Sequence, residues 1–386
     1  MANLTPTQAA AIARGVYLLR KESVETVLSD NAATNPLGID GLFGQSSRFS
    51  GTSGALMFKP LTGFGFVAAG TGPFAGDLLI ATRGTVKAAD WLTDFNVGMQ
   101  VGPGGKIVHA GFNDTWKSYA PELREFLRGR NPTRIHCVGH SLGGALAFLN
   151  ADFITANRIA DVRLYTFGAP RTGLHPFGQQ LTARVGAENM FRVSNPCDPV
   201  PMIPLFPFFH VPFGEEGLQI GRTSNIPINP SAHFMLESYV PGVVGKNWSD
   251  LRVRAPDERE VKGWFENAAA GAGGFLMGGA KLLDMITRAL AWMLKIAGAA
   301  TKGVIGLAAT GAVTVLDQVA WLLTQAAQLS AEMGRGLVTL VGMIFRFLGR
   351  TVSAGTQITT AFLRWVLDLL FTAIRSAANR ALALVR

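Results

Sequence analysis

Gly139-His140-Ser141-Leu142-Gly143 is the most informative segment of the chain, because it has the form G-x-S-x-G between two different patterns. The apolar run at residues 135–138 predicts a strand before it, and the small-residue run at residues 144–147 predicts a helix after it. A G-x-S-x-G pentapeptide alone can be an ordinary glycine-rich turn. With a strand before it and a helix after it, the pattern predicts a nucleophile elbow that projects the hydroxyl of Ser141 above a sheet.

Strand-like and helix-like segments alternate on both sides of this turn. Residues 52–82 predict a hairpin, residues 116–127 a helix, and residues 164–167 and 191–193 two short buried strands. Such alternation is typical of an α/β fold with a mostly parallel sheet.

Several further motifs occur in a fixed order around the elbow. They are Arg83-Gly84-Thr85, Asp90-Trp91-Leu92-Thr93-Asp94, His109-Ala110-Gly111-Phe112, Tyr165-Thr166-Phe167-Gly168-Ala169-Pro170-Arg171 and Asp198-Pro199-Val200-Pro201. Over residues 40–242 this order resembles the class 3 lipases, the family that includes the filamentous-fungal triacylglycerol lipases. The resemblance implies an α/β-hydrolase fold and hydrolysis of lipid carboxylic esters. It does not extend to the last third of the chain.

Ser141, Asp198 and His233 form the predicted catalytic triad. A serine nucleophile needs a base and an acid that orients the base, and α/β-hydrolases supply them in the order Ser, Asp, His. Asp198 directly follows a predicted strand and lies in the family's D-x-V-P pattern. His210 and His233 both follow it. The resemblance favours His233, because Tyr239 comes six residues later as in the family, whereas His210 matches a non-catalytic family histidine.

The oxyanion of the reaction needs two hydrogen-bond donors. The backbone N–H of Leu142, directly after the nucleophile, is the first. The resemblance implies Thr85 as the second, with Asp94 bracing it from behind. It also assigns residues 86–95, which contain Trp91, to a lid, although a fixed surface helix with a core Trp91 fits this segment nearly as well.

The remaining histidines have no predicted role in the reaction. His140, beside the nucleophile, is expected to point away along the turn, and His136 has no evident partner. No histidine and carboxylate spacing typical of a metal site occurs, so no metal and no cofactor is predicted.

Composition changes near residue 267, and the chain is predicted to divide there. Residues 1–262 are assigned to the α/β-hydrolase lipase domain, and residues 263–386 to a helical, apolar and basic region. Helix breaks are expected at paired or close glycines, namely Gly273-Gly274, Gly278-Gly279 and Gly334/Gly336. Four cations recur every seven residues along one helix face: Lys281, Arg288, Lys295 and Lys302.

Membrane attachment is the predicted role of this C-terminal region. The 386-residue chain is 48% hydrophobic, only 16% charged and carries a net charge of +9, without any nucleic-acid motif. Trp292, Trp321 and Trp365 are interfacial anchor residues in this interpretation. Asp317 interrupts the apolar residues 303–331, so amphipathic helices are predicted and not a membrane span. A helical bundle that packs on the catalytic domain, or forms a homo-oligomer, is the alternative.

The predicted function is serine hydrolysis of lipid esters, as a phospholipase A or a triacylglycerol lipase. The alternative is a membrane-binding or pore-forming toxin in which the hydrolase is secondary. The N-terminus lacks a cationic segment followed by an apolar core, so no ordinary signal peptide is predicted. Thr5-Pro6-Thr7-Gln8 instead predicts a capping box and a helix to about Lys21. The expected setting is export by a non-Sec route such as type VI secretion, as a bacterial effector with a helper or immunity protein. The competing role is an intracellular or membrane-bound enzyme of lipid remodelling.

Overall fold

The computed structural model describes most of the chain, with several gaps. The described residues are 2–20, 23–28, 39–51, 62–84, 98–204, 208–213, 217–221, 228–253, 259–260, 263, 285–286, 288–290, 292–294, 315–351, 353 and 355–384. The chain divides into two compact units. Met1–Thr223, Asn229–Val253 and Ala378–Arg386 form the first, and Ser224–Ile228 with Arg254–Ala377 form the second. The predicted boundary after residue 262 falls where few residues are described, and it stays a prediction.

A seven-stranded sheet organises the first unit, in the order β1-β2-β3-β6-β7-β9-β11. Its strands are β1 (Phe43–Gly51), β2 (Thr62–Gly70), β3 (Asp77–Thr82), β6 (Arg134–His140), β7 (Asp161–Phe167), β9 (Met190–Ser194) and β11 (Leu218–Gln219). All pairs from β3 to β11 are parallel, and only β1-β2 and β2-β3 are antiparallel. The predicted mostly parallel α/β sheet is confirmed.

A second sheet of four short strands has the order β10-β8-β5-β4. It consists of β4 (Met99–Val101), β5 (Ile107–His109), β8 (Gly173–Leu174) and β10 (Phe208–Phe209). The strand β10 lies within residues 199–212, whose prolines and phenylalanines predict an irregular apolar loop and not a strand.

The strand β1 was missed because its sequence is mostly polar. In Phe43–Gly51 the outward side chains are exposed and only Phe43, Phe49 and Gly51 are buried. An edge strand of this kind needs apolar residues on one face only, so a polar sequence is compatible with it.

The described α-helices of the first unit precede, connect and follow its strands. They are α1 (Pro6–Gly15), α2 (Val24–Leu28), α3 (Ala110–Leu127), α4 (Leu142–Ala156), α5 (His175–Val185) and α6 (Val240–Val243). Almost every side chain of α4 is buried, which places it in the core directly behind the elbow.

The predicted capping box at the N-terminus is present. Gln8 N–H donates to the Thr5 side chain, and the Gln8 side chain accepts from Thr5 N–H. Seven of the ten residues of α1 are buried, and the helix lies against β6 and β7. A 3₁₀-helix at Val16–Arg20 continues it and carries Tyr17 towards the carboxyl end of β6.

The second unit contains three long described helices. They are α7 (Val315–Leu329), α8 (Ala331–Phe347) and α9 (Thr360–Leu384), the last of which ends in residues assigned to the first unit. The break predicted at Gly334 and Gly336 is wrong, because α8 runs through both. The helix begins one turn earlier, where the Ser330 side chain accepts from Met333 N–H. Gly336 is buried, and the buried apolar side chains along α8 hold the helix together despite the poor helix propensity of glycine.

Within this unit an ion pair joins Asp317 of α7 to Arg364 of α9, and Phe345, Phe362 and Trp365 form an aromatic cluster. Among the described residues no helix is both long enough and apolar enough to cross a membrane. The glycine pairs at residues 273–279 and the cations Lys281, Lys295 and Lys302 lie outside the described residues.

Candidate active site

The elbow places Ser141 between β6 and α4 in a strained conformation. Its φ of 59° and ψ of −132° lie in a region that residues with a side chain rarely adopt. The neighbouring glycines allow the tight turn. A Cβ on Gly139 would lie 2.1 Å from the carbonyl oxygen of Gly143, and one on Gly143 would lie 2.2 Å from that of Thr82. The G-x-S-x-G spacing is therefore a steric requirement of this backbone.

The structure brings Ser141, His233 and Asp198 into one hydrogen-bonded line. The Oγ of Ser141 lies 2.9 Å from Nε2 of His233, and Nδ1 of the same ring lies 2.8 Å from Oδ2 of Asp198. All three residues are buried, with exposed fractions of 2% or less. This is the geometry in which a serine hydroxyl can pass its proton to an imidazole. The catalytic roles of the three residues stay predictions.

The partners of His233 determine its tautomer. The carboxylate of Asp198 accepts hydrogen bonds, so Nδ1 carries the proton and Nε2 is left to accept from the Ser141 hydroxyl.

Two further donors hold the carboxylate of Asp198. Tyr239 donates its hydroxyl to Oδ2 at 2.6 Å, and Val200 donates its N–H to Oδ1 at 2.8 Å. Sequence analysis used Tyr239 only as a spacing marker and did not identify this contact.

Local capping brings the loop of His233 to the aspartate. Asn229 caps the 3₁₀-helix Pro230–His233 by accepting from Ser231 N–H, and its own N–H donates to the carbonyl of Cys197. The histidine segment is thereby tied to the residue directly before Asp198.

The oxyanion side is described only in part. Leu142 is buried at the first turn of α4, where backbone N–H groups lack an intrahelical acceptor and the helix dipole favours negative charge. Thr85, Trp91 and Asp94, together with the predicted lid at residues 86–95, lie outside the described residues. Gly84, directly before Thr85, is described and lies against the nucleophile. A Cβ there would be 3.1 Å from Cβ of Ser141.

His140 does not point away from the site, so that prediction is wrong. Its Nε2 lies 2.8 Å from the backbone carbonyl of His233, and its Nδ1 lies 2.8 Å from the hydroxyl of Tyr17. Sequence analysis could not find these contacts, because the partners are 93 and 123 residues away along the chain.

The other histidines lie apart from this line of residues. His210 hydrogen-bonds the backbone of Pro201 and forms no hydrogen bond with Ser141 or Asp198 in the described structure. His136 has a partner after all, since its Nε2 lies 3.1 Å from Oδ2 of Asp77 near the amino ends of β3 and β6. Burial lowers the pKa of His136 to about 4. In the part of the chain that is described, no group of three or more His, Cys, Asp or Glu residues could hold a metal ion.

Gly168→Ala is expected to lower kcat by about 10²-fold or more, through displacement of the triad. Gly168 has a φ of +56° at the end of β7. A Cβ there would lie 2.8 Å from Oδ2 of Asp198, 2.9 Å from the hydroxyl of Tyr239 and 3.1 Å from Nδ1 of His233. The measurement is steady-state kinetics on a soluble short-chain ester.

Gly129→Ala is the matched control, because Gly129 also has a positive φ, of +71°, but nothing within 4 Å of the added Cβ. It should share the backbone strain, about 1–2 kcal/mol, and keep the wild-type kcat. Equal losses of kcat in the two variants would show that strain alone, and not displacement of the triad, matters at Gly168.

Known proteins resemble part of this chain, and the family match contains Ser141 and Asp198 but ends before His233. Residues 79–208 match the model of the family described as Lipase (class 3). Secreted mono- and diacylglycerol lipase 1 of Fusarium solani is 34% identical over 134 residues, which are 33% of this chain and 39% of the relative. Phospholipase A1-II 1 of Oryza sativa subsp. indica is 27% identical over 219 residues, which are 48% of this chain and 54% of the relative.

The chain spans about half the length of these relatives or less. Among solved structures, the triacylglyceride lipase of Rhizomucor miehei is 21% identical and has a TM-score of 0.40. That match covers 55% of this chain and 78% of the other.

Proposed function

We propose that this chain, whose residues 79–208 match the class 3 lipase family model, hydrolyses carboxylic esters of lipids. The observation that carries the proposal is the buried line Ser141 Oγ, His233 Nε2 and Nδ1, Asp198 Oδ2, with hydrogen bonds of 2.9 and 2.8 Å. It supplies a nucleophile, a base in the correct tautomer and an acid that holds this tautomer.

The reaction has two balanced halves. First, Ser141 Oγ attacks the ester carbonyl while its proton moves to Nε2 of His233, and the alcohol leaves with that proton as the acyl-enzyme forms. Second, water attacks the acyl-enzyme while His233 takes a proton from it and returns one to Oγ, which releases the fatty acid. The N–H of Leu142, and Thr85 by prediction, stabilise the negative oxygen in both halves.

A fluorophosphonate probe tests this proposal on the unmodified chain. The expected result is stoichiometric phosphonylation of the peptide that contains Ser141, with parallel loss of hydrolysis of a short-chain ester. Hydrolysis that persists after complete labelling, or labelling at a different residue, would contradict the proposal.

The substrate class we propose is the acyl ester of glycerophospholipids at an anionic membrane, with triacylglycerol as the competing substrate. Two observations support it. Trp321 and Trp365 of the second unit are 46% and 45% exposed, although large apolar side chains usually bury more of their surface. Lys and Arg outnumber Asp and Glu by eleven to five from residue 266 onward. Exposed indoles together with cations are typical of a protein surface that binds anionic lipid. Trp292, the third tryptophan predicted as an interfacial anchor, is half-buried.

Replacing Trp321 and Trp365 together with serine is expected to weaken co-sedimentation with phosphatidylglycerol vesicles by about tenfold, because two half-exposed indoles are lost. Hydrolysis of a soluble ester should be unchanged. Val101→Ala, which truncates a 60% exposed apolar side chain of the first unit, is the control. Unchanged co-sedimentation of the double variant would contradict attachment through this surface.

The pore-forming alternative, a homo-oligomer, non-Sec export, and an effector role with a helper or immunity protein stay predictions from the sequence.

A further inference from the structure

The hydroxyl of Tyr17 joins two parts of the site that come from distant segments. Tyr17 belongs to the 3₁₀-helix after α1. Its oxygen lies 3.2 Å from the backbone nitrogen of Gly84 and 2.8 Å from Nδ1 of His140. On the far side of the same ring, Nε2 of His140 lies 2.8 Å from the carbonyl of His233.

One assignment of protons satisfies all three contacts. Burial, followed by the proximity of His233, holds the pKa of His140 well below its ordinary value, so the ring is neutral and carries one proton. The carbonyl of His233 can only accept, which puts that proton on Nε2. Nδ1 then accepts from the Tyr17 hydroxyl, and the phenolic oxygen accepts from Gly84 N–H. The three bonds form one directed chain from Gly84 to His233.

The two ends of this hydrogen-bond chain, Gly84 and His233, both lie beside Ser141. Gly84 lies against the nucleophile, and a Cβ on it would be 3.4 Å from Oγ of Ser141. Gly84 also directly precedes Thr85, the predicted second oxyanion donor. His233, at the other end, must keep Nε2 within 2.9 Å of the same Oγ.

We propose that Tyr17 is a positioning residue that couples the oxyanion side of the site to the catalytic base through His140. The inference rests on the proposed function and adds a residue from the N-terminal helical segment to the machinery of acyl transfer. Tyr17 touches neither substrate nor reacting atoms. It acts by holding Gly84 and, through the ring of His140, the backbone of His233.

Tyr17→Phe tests this by removal of a single oxygen atom. We expect kcat for a soluble short-chain ester to fall about ten- to a hundredfold with little change in KM, because the reacting groups shift while substrate binding stays the same. Phosphonylation of Ser141 should slow by a similar factor, and active-site titration normalises both rates to competent enzyme.

Tyr119→Phe is the matched control. The Tyr119 hydroxyl, which is more deeply buried than that of Tyr17, donates to Asn150 at 3.1 Å, so its loss removes a hydrogen bond without any contact to the triad. It should lower the thermal unfolding midpoint and leave kcat at the wild-type value. Equal kcat values for Tyr17→Phe and wild type, or equal losses for the two Tyr→Phe variants, would overturn the inference.

His140→Gln provides a second and independent test. The glutamine amide can still donate to the carbonyl of His233, but it no longer presents the ring Nδ1 to Tyr17. If the three hydrogen bonds act as a unit, the double variant Tyr17→Phe/His140→Gln loses less kcat than the product of the two single-variant losses predicts. Wild-type kcat in His140→Gln would overturn the coupling even if Tyr17→Phe did not fold. Failure of the proposed function is distinct, because the wild-type chain itself would then show no ester hydrolysis.

Discussion

His233→Ala is expected to lower kcat for ester hydrolysis by about 10⁶-fold, which is the loss that Ser141→Ala should also produce. Without the imidazole, Ser141 Oγ loses the base that lies 2.9 Å away, and no other side chain in the described part of the chain hydrogen-bonds this oxygen. Residues of a triad act as a unit, so the double variant should be no slower than either single variant. The measurement is single-turnover kinetics on an activated short-chain ester.

His210→Ala is the control that separates the two candidate histidines. The ring of His210 hydrogen-bonds the backbone of Pro201 and not the triad, so this variant should stay close to the wild-type kcat. Similar residual activity in His233→Ala and His210→Ala would contradict the assignment of His233 as the base. A large loss in His210→Ala alone would transfer the role to that residue.

Asp198→Asn is expected to lower kcat by about 10⁴-fold with little change of structure. The carboxylate accepts from His233 Nδ1, Tyr239 and Val200, whereas an asparagine side chain has one oxygen and a donor group in place of the second. Its amide can face Nδ1 as a donor and force the proton of the imidazole onto Nε2. In that tautomer His233 cannot accept the proton of Ser141. The pre-steady-state rate of acyl-enzyme formation measures this step directly.

Asp77→Asn is the matched control in the same unit. Asp77 is a second buried carboxylate in contact with a histidine, since its Oδ2 lies 3.1 Å from Nε2 of His136. That pair lies near the amino ends of the strands, whereas Ser141 follows the carboxyl end of β6. The variant should lower the unfolding midpoint and keep kcat. An equal loss of activity in both Asp→Asn variants would mean that buried charge, and not the tautomer of His233, explains the effect.

Elements with a strong local pattern could be predicted from the sequence. The capping box at Thr5 and Gln8 depends on residues three apart, and the elbow depends on glycines two residues to either side of Ser141. The hairpin that ends in β3 and the strands β6, β7 and β9 have short apolar runs between turn residues. The resemblance to class 3 lipases added Asp198 and His233, which the structure brings to Ser141.

The errors share a cause, which is that tertiary contacts outweighed a local preference. β1 is polar because it is an edge strand with one solvated face, and α8 passes through Gly334 and Gly336 because burial along its length stabilises it. His140 faces His233 and Tyr17, although its place in the motif says only that it precedes the nucleophile.

Sequence patterns alone were enough to predict the alternation of strands and helices around the elbow, the turn at Ser141 and the N-terminal capping box. These features depend on neighbouring residues, whose sterics and hydrogen bonds act within a few positions of the chain. Three features required the folded structure: Gly168 must lack a side chain beside Asp198, Tyr239 donates to the Asp198 carboxylate, and Tyr17 reaches Gly84. Those contacts join segments 30 or more residues apart, and their distances follow from the packing of the sheet and helices, not from any pattern along the chain.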